Sequence, residues 1–104
     1  MSRDIEKVIK EQVTTHPVVL YMKGSPQFPQ CGFSANAVGI LNALGVKELF
    51  TVDILQDPEM RQGIKDYSNW PTIPQLYIKG EFVGGSDIMT EMYQSGELKQ
   101  MLEG

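Results

Sequence analysis

The feature of the sequence that most constrains its fold is an unbroken apolar run, Val18–Met22, which ends at a loop rich in proline and glycine. The run begins with two β-branched residues, which favour a strand. Because it has no polar residue to place on a solvated face, we expect a strand buried on both faces, as in a parallel sheet. The sequence therefore predicts an α/β fold that contains this buried strand.

Helices and strands follow one another along the rest of the chain. Apolar residues at helical spacing predict helices, and short runs rich in β-branched residues predict strands. Gly45 lies where a left-handed helix cap is expected, and Lys79-Gly80 is expected to form a hairpin turn. The predicted elements are a helix over about residues 3–14, the strand 18–22, a helix over 33–44, a strand over 50–54, a helix from Asp57 to about Tyr67, hairpin arms over 75–78 and 81–83, a helix that Ser86 or Asp87 caps, and a last helix after Gly96.

Cys31, the only cysteine, lies where the loop enters the helix predicted to begin at Phe33. The unpaired backbone N–H groups at a helix start stabilise an anion, and a thiolate is an anion. This position therefore lowers the pKa of a cysteine, and Lys23 at the other end of the loop adds positive charge. The alternative is a buried cysteine that acts as a small apolar residue. The neighbouring Pro, Gln and Gly residues are not typical of a core and favour the reactive thiolate.

A single cysteine limits the chemistry of the chain. It excludes an internal disulfide and suits a reducing compartment. Ser34 occupies the position at which a Cys-x-x-Cys oxidoreductase has its resolving thiol, so a dithiol mechanism within one chain is excluded. Two chemistries remain: exchange with a small thiol through a mixed disulfide, or binding of a soft metal centre. A [2Fe–2S] cluster takes four ligands, usually thiolates, so two chains leave a deficit that one small thiol per chain would fill.

The loop also resembles the signature of a known family. The segment Lys23–Ser34 contains Lys-Gly followed by Pro-x-x-Pro-x-Cys-Gly-Phe-Ser, which is similar to the CGFS signature of the monothiol glutaredoxins. The similarity extends to Trp70–Pro74 and to Gly84–Asp87, and so covers nearly the whole chain. The resemblance implies a single glutaredoxin domain over residues 1–104 with a thioredoxin-like fold, in which a four-stranded mixed sheet is flanked by helices.

The resemblance implies glutathione as a ligand, and several residues suit this tripeptide. The N–H groups at a helix start near Asp87 suit a carboxylate, and the Asp87 side chain suits the ammonium group. Ile73 is expected to pair with the ligand through its backbone, beside a proline that is cis in this family. For each residue a structural role, such as turn packing or a solvated charge, is the alternative. The candidates are Cys31 as catalytic residue and metal ligand, with Lys23, Arg61, Trp70, Thr72, Ile73, Pro74, Gly85, Ser86 and Asp87 for glutathione.

Two functions are consistent with these features. The first is a carrier, a homodimer bridged by a glutathione-ligated [2Fe–2S] cluster, which takes the cluster from a scaffold and transfers it to apo iron–sulfur proteins. The second is a glutathione-dependent oxidoreductase that removes glutathione from protein mixed disulfides through Cys31 alone. The five-residue extension Gly24–Phe28, which dithiol glutaredoxins lack, favours the carrier because it can reposition glutathione relative to Cys31.

Two further expectations come from the family. A BolA-type protein is a common partner of its members, and we expect it as a possible partner here. Many members have a cysteine where this chain has Ser86, and that cysteine can form a disulfide with the active-site cysteine. Serine excludes this disulfide but leaves cluster binding through Cys31 unaffected.

Charge and hydropathy argue against other classes of partner. The formal net charge is −4, with no basic run, which argues against nucleic acid and an anionic membrane surface. No apolar run approaches the roughly 18 residues needed to span a membrane. The polar N-terminus resembles neither a secretory signal nor an Arg-rich transit peptide. We therefore expect a bacterial cytoplasmic protein, with the mitochondrial matrix after removal of a transit peptide as the alternative.

Overall fold

The structure is a computed structural model that describes residues 4–103. Helices and strands follow in the predicted order, with one additional 3₁₀ turn. Within the described range, no helix is both long enough and apolar enough to cross a membrane. The elements are α1 (Ile5–Thr15), β1 (Val18–Met22), α2 (Gly32–Ala43), β2 (Leu49–Asp53), the 3₁₀ turn (Ile54–Gln56), α3 (Pro58–Ser68), β3 (Gln75–Ile78), β4 (Glu81–Gly84), α4 (Ser86–Ser95) and α5 (Glu97–Glu103).

The strands form one mixed sheet in the order β2-β1-β3-β4. β1 pairs in parallel with β2 and antiparallel with β3, and β3 pairs antiparallel with β4. β1 therefore lies inside the sheet, and all five of its residues are buried. The predicted fold class, a four-stranded mixed sheet flanked by helices, is confirmed.

Helices cover both faces of the sheet. Side chains alternate along a strand, so Leu20 and Met22 join a core with α2, α4 and α5, whereas Val19 and Tyr21 join a core with α1 and α3. All four side chains are fully buried. Burial of one large apolar side chain contributes about 1.5–3 kcal/mol, so β1 fixes the helices on both faces relative to one another.

Two predicted boundaries need correction. The Asp4 carboxylate accepts a hydrogen bond from a backbone N–H of the first turn, so α1 begins at residue 5, and the predicted start at residue 3 lies outside the described residues. The second strand begins and ends one residue before the predicted range 50–54. It ends there because Asp53 caps the 3₁₀ turn that starts at Ile54.

The end of α2 agrees with the prediction for Gly45. This residue has φ +73°, which glycine adopts without steric cost. The N–H of Val46 donates to the carbonyl of Leu41 at 3.1 Å, and the N–H of Gly45 donates to the carbonyl of Asn42 at 3.0 Å. This pair of bonds is a Schellman motif, and the predicted left-handed cap is confirmed.

The predicted cap of α4 is wrong. Neither Ser86 nor Asp87 is the N-cap, because Ser86 is already the first helical residue and Gly85 precedes it. No side chain closes this helix start. The Ser86 hydroxyl instead contacts Asn36 of α2, a residue fifty positions earlier in the chain.

Several chain segments converge at one end of the sheet. β1 ends there at Met22, β4 ends there at Gly84, and β3 begins there at Gln75, because Tyr21 pairs with Gln75 and Leu76 pairs with Gly84. The loop after β1, the segment before β3 and the start of α4 therefore meet at this edge. They are the segments that contain most of the candidate residues.

Candidate functional site

A cleft of about 450 Å³ opens at this end of the sheet. Its volume is within the range of small-molecule sites, roughly 300–1,000 Å³. The structure brings all of the predicted residues together around it, although their roles in binding stay predictions. They are Lys23 and Cys31 at the two ends of the loop, Arg61 on α3, Trp70, Thr72, Ile73 and Pro74 before β3, and Gly85, Ser86 and Asp87 at the start of α4.

Cys31 is the N-cap residue of α2 and is partly exposed. The pKa of its thiol is lowered, chiefly by the backbone N–H of Ser34, then by that of Phe33 and by the Lys23 ammonium, while partial burial of the sulfur opposes the shift. These N–H groups favour the thiolate although none closes a regular capping hydrogen bond to the sulfur. The predicted direction of the pKa shift is confirmed, and the helix start contributes more to it than Lys23.

The loop before Cys31 forms a tight turn. Gly24 bridges to Pro29, and Ser25 and Phe28 exchange backbone hydrogen bonds of 3.1 and 3.3 Å. Gly24 has φ +90°, and a Cβ there would lie 2.5 Å from the carbonyl oxygen of Phe28. Only glycine fits this position. The five-residue extension therefore has a defined shape, and it leaves the Phe28 side chain 74% exposed.

Two side chains that sequence analysis did not single out as site residues fasten this loop to the fold. The buried Ser34 hydroxyl accepts the N–H of Lys23 at 3.1 Å. The Asp53 carboxylate, at the end of β2, accepts the N–H of Gly24 at 2.9 Å. Both contacts join residues far apart in the chain, so no local pattern indicates them. Ser34 is thus a structural residue as well as the replacement for a resolving thiol.

The cleft is cationic. Lys23, Arg61 and Lys65 line it, and among its described lining residues Asp87 is the only carboxylate. Because the whole chain has a net charge of −4, this concentration of positive charge is local and attracts an anionic ligand. Sequence analysis missed Lys65. Its signal is the spacing of four residues from Arg61, which places both side chains on one face of α3.

The segment before β3 forms one wall of the cleft. Its Ile73–Pro74 bond is cis, as the family resemblance implies. Gln75 is fully buried, and its side-chain Nε2 donates to the carbonyl oxygens of Trp70 at 3.1 Å and Thr72 at 3.2 Å. This amide fixes the course of the wall. Sequence analysis assigned Gln75 only to a strand, because its partners are not visible in the sequence.

The start of α4 forms a second wall, which adjoins the first. Gly85 packs so closely that a Cβ there would lie 3.3 Å from the Pro74 carbonyl oxygen and 3.4 Å from Trp70 Nε1. With no side-chain cap, the first N–H groups of α4 are available to a ligand. Asp87 is exposed in the first turn. Donors and a carboxylate thus lie side by side at this wall.

Comparisons with known proteins identify the family of this chain. The model of the Glutaredoxin family matches residues 18–83. The uncharacterized monothiol glutaredoxin ycf64-like of Synechocystis is 58% identical over 99% of this chain and 95% of its own length. This chain belongs to the monothiol glutaredoxins.

Two further matches support the assignment of this glutaredoxin to the family. Monothiol glutaredoxin-5, mitochondrial, of Saccharomyces cerevisiae is 50% identical over 99% of this chain and 70% of its own length. The solution structure of reduced poplar apo GrxS14 superimposes with a TM-score of 0.83 at 52% identity, covering 95% of this chain and 90% of that one.

Cys31 is the candidate ligand for a soft metal at the cleft of this glutaredoxin. Among residues 4–103, no group of three or more His, Cys, Asp and Glu side chains is placed to hold a metal ion. At the cleft, Cys31 provides one accessible sulfur whose lowered pKa favours the thiolate. A thiolate is the form that binds iron and zinc.

Proposed function

We propose that this glutaredoxin carries a [2Fe–2S] cluster as cargo and transfers it to apo iron–sulfur proteins. The observation that mainly supports this proposal is the position of Cys31, a partly exposed thiol of lowered pKa at the rim of a cationic cleft. A thiolate at this rim is accessible both to a small ligand in the cleft and to a second protein. Cluster ligands are usually thiolates, so the same sulfur suits the cargo.

Glutathione is the ligand that we propose for the cleft. Lys23 and Arg61 suit one of its carboxylates, and the uncapped start of α4 suits the other. Asp87 suits the ammonium group, which shares the glutamyl end of the ligand with the second carboxylate. Ile73 lies just outside β3, so its backbone suits pairing with the central residue of an extended peptide. Held at both ends, the ligand presents its thiol at the middle of the cleft, on the side of Cys31.

The number of ligands that a [2Fe–2S] cluster needs then requires two chains. A [2Fe–2S] cluster has four ligands, and each chain contributes one Cys31 and one glutathione thiolate. The proposed assembly is a homodimer held together by its cargo. A BolA-type protein with its own His or Cys ligand would replace one chain and form a mixed dimer around the same cluster.

The position of Cys31 also supports a second function, reduction of protein–glutathione mixed disulfides. The Cys31 thiolate attacks the glutathione sulfur, the protein thiolate leaves, and Cys31 becomes disulfide-bonded to glutathione. A second glutathione thiolate then restores Cys31 and releases oxidised glutathione. The defined shape of the Gly24–Phe28 extension favours the carrier, because a fixed loop beside Cys31 controls how closely glutathione approaches it.

Spectra and turnover of freshly purified protein distinguish the two functions. Protein prepared without oxygen is expected to be brown, to show the absorption of a [2Fe–2S] cluster, and to bleach when an apo-ferredoxin acquires the cluster. The Cys31→Ser variant is the matched control and is expected to be colourless. A colourless wild-type protein that rapidly deglutathionylates a peptide substrate would instead identify the oxidoreductase.

We further propose that a cluster scaffold supplies the cargo and that the protein works in a reducing compartment. A single unpaired thiol suits such a compartment. The bacterial cytoplasm is our first proposal and the mitochondrial matrix the alternative, since one relative is itself named as mitochondrial. Fractionation of the source cells, with the protein detected by an antibody, separates the two locations.

A further inference from the structure

The side chain of Gln75 joins the sheet to the wall of the cleft that precedes β3. Its Nε2 lies 3.1 Å from the carbonyl oxygen of Trp70 and 3.2 Å from that of Thr72. A carbonyl oxygen can only accept, so the NH₂ end of the amide faces both carbonyls and donates one proton to each. Gln75 is also the first residue of β3, where its backbone pairs with Tyr21 of β1. The wall is therefore fastened to the central strands of the sheet through one amide.

This arrangement leaves the other end of the amide without a partner. Gln75 is fully buried, and among residues 4–103 no donor reaches its Oε1. A buried acceptor without a donor is unfavourable, and an apolar side chain of similar shape would avoid that cost. Glutamine is thus a poor choice for the core at this position, and its two hydrogen bonds to the wall indicate a role in the shape of the cleft.

The Thr72 carbonyl shares a peptide unit with the N–H of Ile73. This peptide bond is trans, so its C=O and N–H point in opposite directions. Because the buried Gln75 amide holds the C=O toward the protein interior, the Ile73 N–H points away from the interior, on the side of the cleft that Thr72 and Ile73 line. Among residues 4–103, this N–H is donated to no acceptor. It is open to a ligand.

We infer that Gln75 is a positioning residue of the cleft, whose amide orients the Thr72–Ile73 peptide unit so that the Ile73 N–H is donated to a backbone carbonyl of the bound peptide ligand. The inference rests on the proposed binding of glutathione and adds a residue that does not itself line the cleft. Gln75 acts by preorganisation. The donor is already oriented before the ligand arrives, so binding does not have to order this wall.

NMR titration of the apo protein with S-methylglutathione tests the inference, since this probe keeps the peptide carbonyls of glutathione and has no reactive thiol. Gln75→Met keeps the approximate shape of the side chain and removes both donated protons. We expect the variant to raise the dissociation constant about fivefold, the value of one neutral hydrogen bond. In the wild-type protein the amide proton of Ile73 should move to higher frequency on binding, as a proton newly donated to a carbonyl does. Gln75→Met should lose this shift.

Two control variants separate the orientation of the wall from general stability. Gln100→Met makes the same change at an exposed position of α5 and should keep both the affinity and the Ile73 shift. Val13→Ala removes buried atoms from α1, which does not line the cleft, so it should lower stability and keep both ligand readouts. A further measurement needs no variant. In the wild-type protein the side-chain NH₂ protons of Gln75 should exchange with solvent far more slowly than those of Gln100.

Each outcome decides the inference. If the wild-type protein does not bind the probe, or the Ile73 proton does not move, the proposed placement of glutathione fails and the inference fails with it. If the wild-type protein shows both and Gln75→Met keeps either the affinity or the shift, the placement stands and the inference is overturned. Exchange of the Gln75 NH₂ protons as fast as those of Gln100 would also overturn it, and this result holds even if Gln75→Met does not fold.

Discussion

The two helix starts at the cleft differ from three other helix starts in the molecule, those of α1, the 3₁₀ turn and α3. α1, the 3₁₀ turn and α3 each begin with an aspartate whose carboxylate accepts a backbone N–H of the first turn, at Asp4, Asp53 and Asp57. α2 and α4, whose starts line the cleft, begin at Cys31 and Gly85 without a side-chain cap. The capped starts satisfy their own N–H groups, whereas the uncapped starts leave N–H groups for an anion.

The missing caps cost the fold some stability. A capping side chain is worth about 0.5–2 kcal/mol relative to alanine, whereas glycine at this position costs only a few tenths of a kcal/mol, so most of the stability forgone lies at Cys31 rather than at Gly85. At α2 the N–H groups act on the thiolate of Cys31, and at α4 we propose that they act on a carboxylate.

The largest effect is expected for Cys31→Ser. It removes the proposed sulfur ligand of the chain, so cluster binding should be lost completely. The same change provides α2 with a good capping residue, so the free energy of unfolding should rise by about 0.5–1 kcal/mol. Iron analysis after anaerobic reconstitution and urea denaturation measure the two effects. Cluster retention at the wild-type level would show that Cys31 is not the ligand.

A large effect on stability is expected for Gly24→Ala. The φ of +90° and the 2.5 Å approach of a Cβ to the Phe28 carbonyl predict a loss of about 1–3 kcal/mol of unfolding free energy. The loop that leads into α2 should also loosen, which gives faster hydrogen exchange over residues 24–31. The matched control is Gly39→Ala on α2, where a Cβ would meet nothing within 4 Å. This control should be neutral or stabilising by up to about 1 kcal/mol.

A smaller effect, confined to stability, is expected for Asp4→Ala. Its carboxylate caps α1 through a 3.2 Å bond, and its removal should cost about 1 kcal/mol. Since α1 does not line the cleft, the affinity for S-methylglutathione should not change. Thermal unfolding and NMR titration test the two statements. If Asp4→Ala changed the free energy of ligand binding as much as the free energy of unfolding, the contrast between capped helix starts that stabilise the fold and uncapped starts at the cleft would be contradicted.

The smallest effect is expected for Lys23→Gln. The pKa of Cys31 is lowered in the folded protein, so the rate of alkylation should reach its plateau at a lower pH than for a free thiol. Because the Ser34 N–H contributes most to this lowering, the variant should keep most of the shift. The rate of alkylation by iodoacetamide, measured between pH 5 and 10, gives the pKa of Cys31 in the wild-type protein and in the variant. A return to the value of a free thiol would show that Lys23, and not the helix start, sets the pKa.

The fold was predictable because its signals are local. The apolar run Val18–Met22, the Gly45 cap and the Lys79-Gly80 turn are each visible within a few residues of sequence, and the structure confirms them. The convergence of candidate residues at one cleft was accessible only through the family resemblance, since the segments involved are far apart in the chain.

The supporting contacts of the site could not be predicted. Asn36 reaches Ser86 across fifty residues, and Gln75 holds the wall of the cleft through backbone carbonyls, whose positions a sequence does not indicate. The absence of a cap at α4 was missed for a related reason. A serine at a helix start is normally a cap, and here its side chain is engaged by another helix.

The most direct test of the proposed carrier is sedimentation velocity of the protein after anaerobic reconstitution with iron and sulfide, with and without glutathione. We predict a coloured dimer only when cluster and glutathione are both present, a monomer when either is missing, and a return to monomer when iron is chelated. The Cys31→Ser variant should stay monomeric throughout. A fully loaded dimer in glutathione-free buffer, or a dimer that Cys31→Ser leaves intact, would contradict the proposed set of ligands.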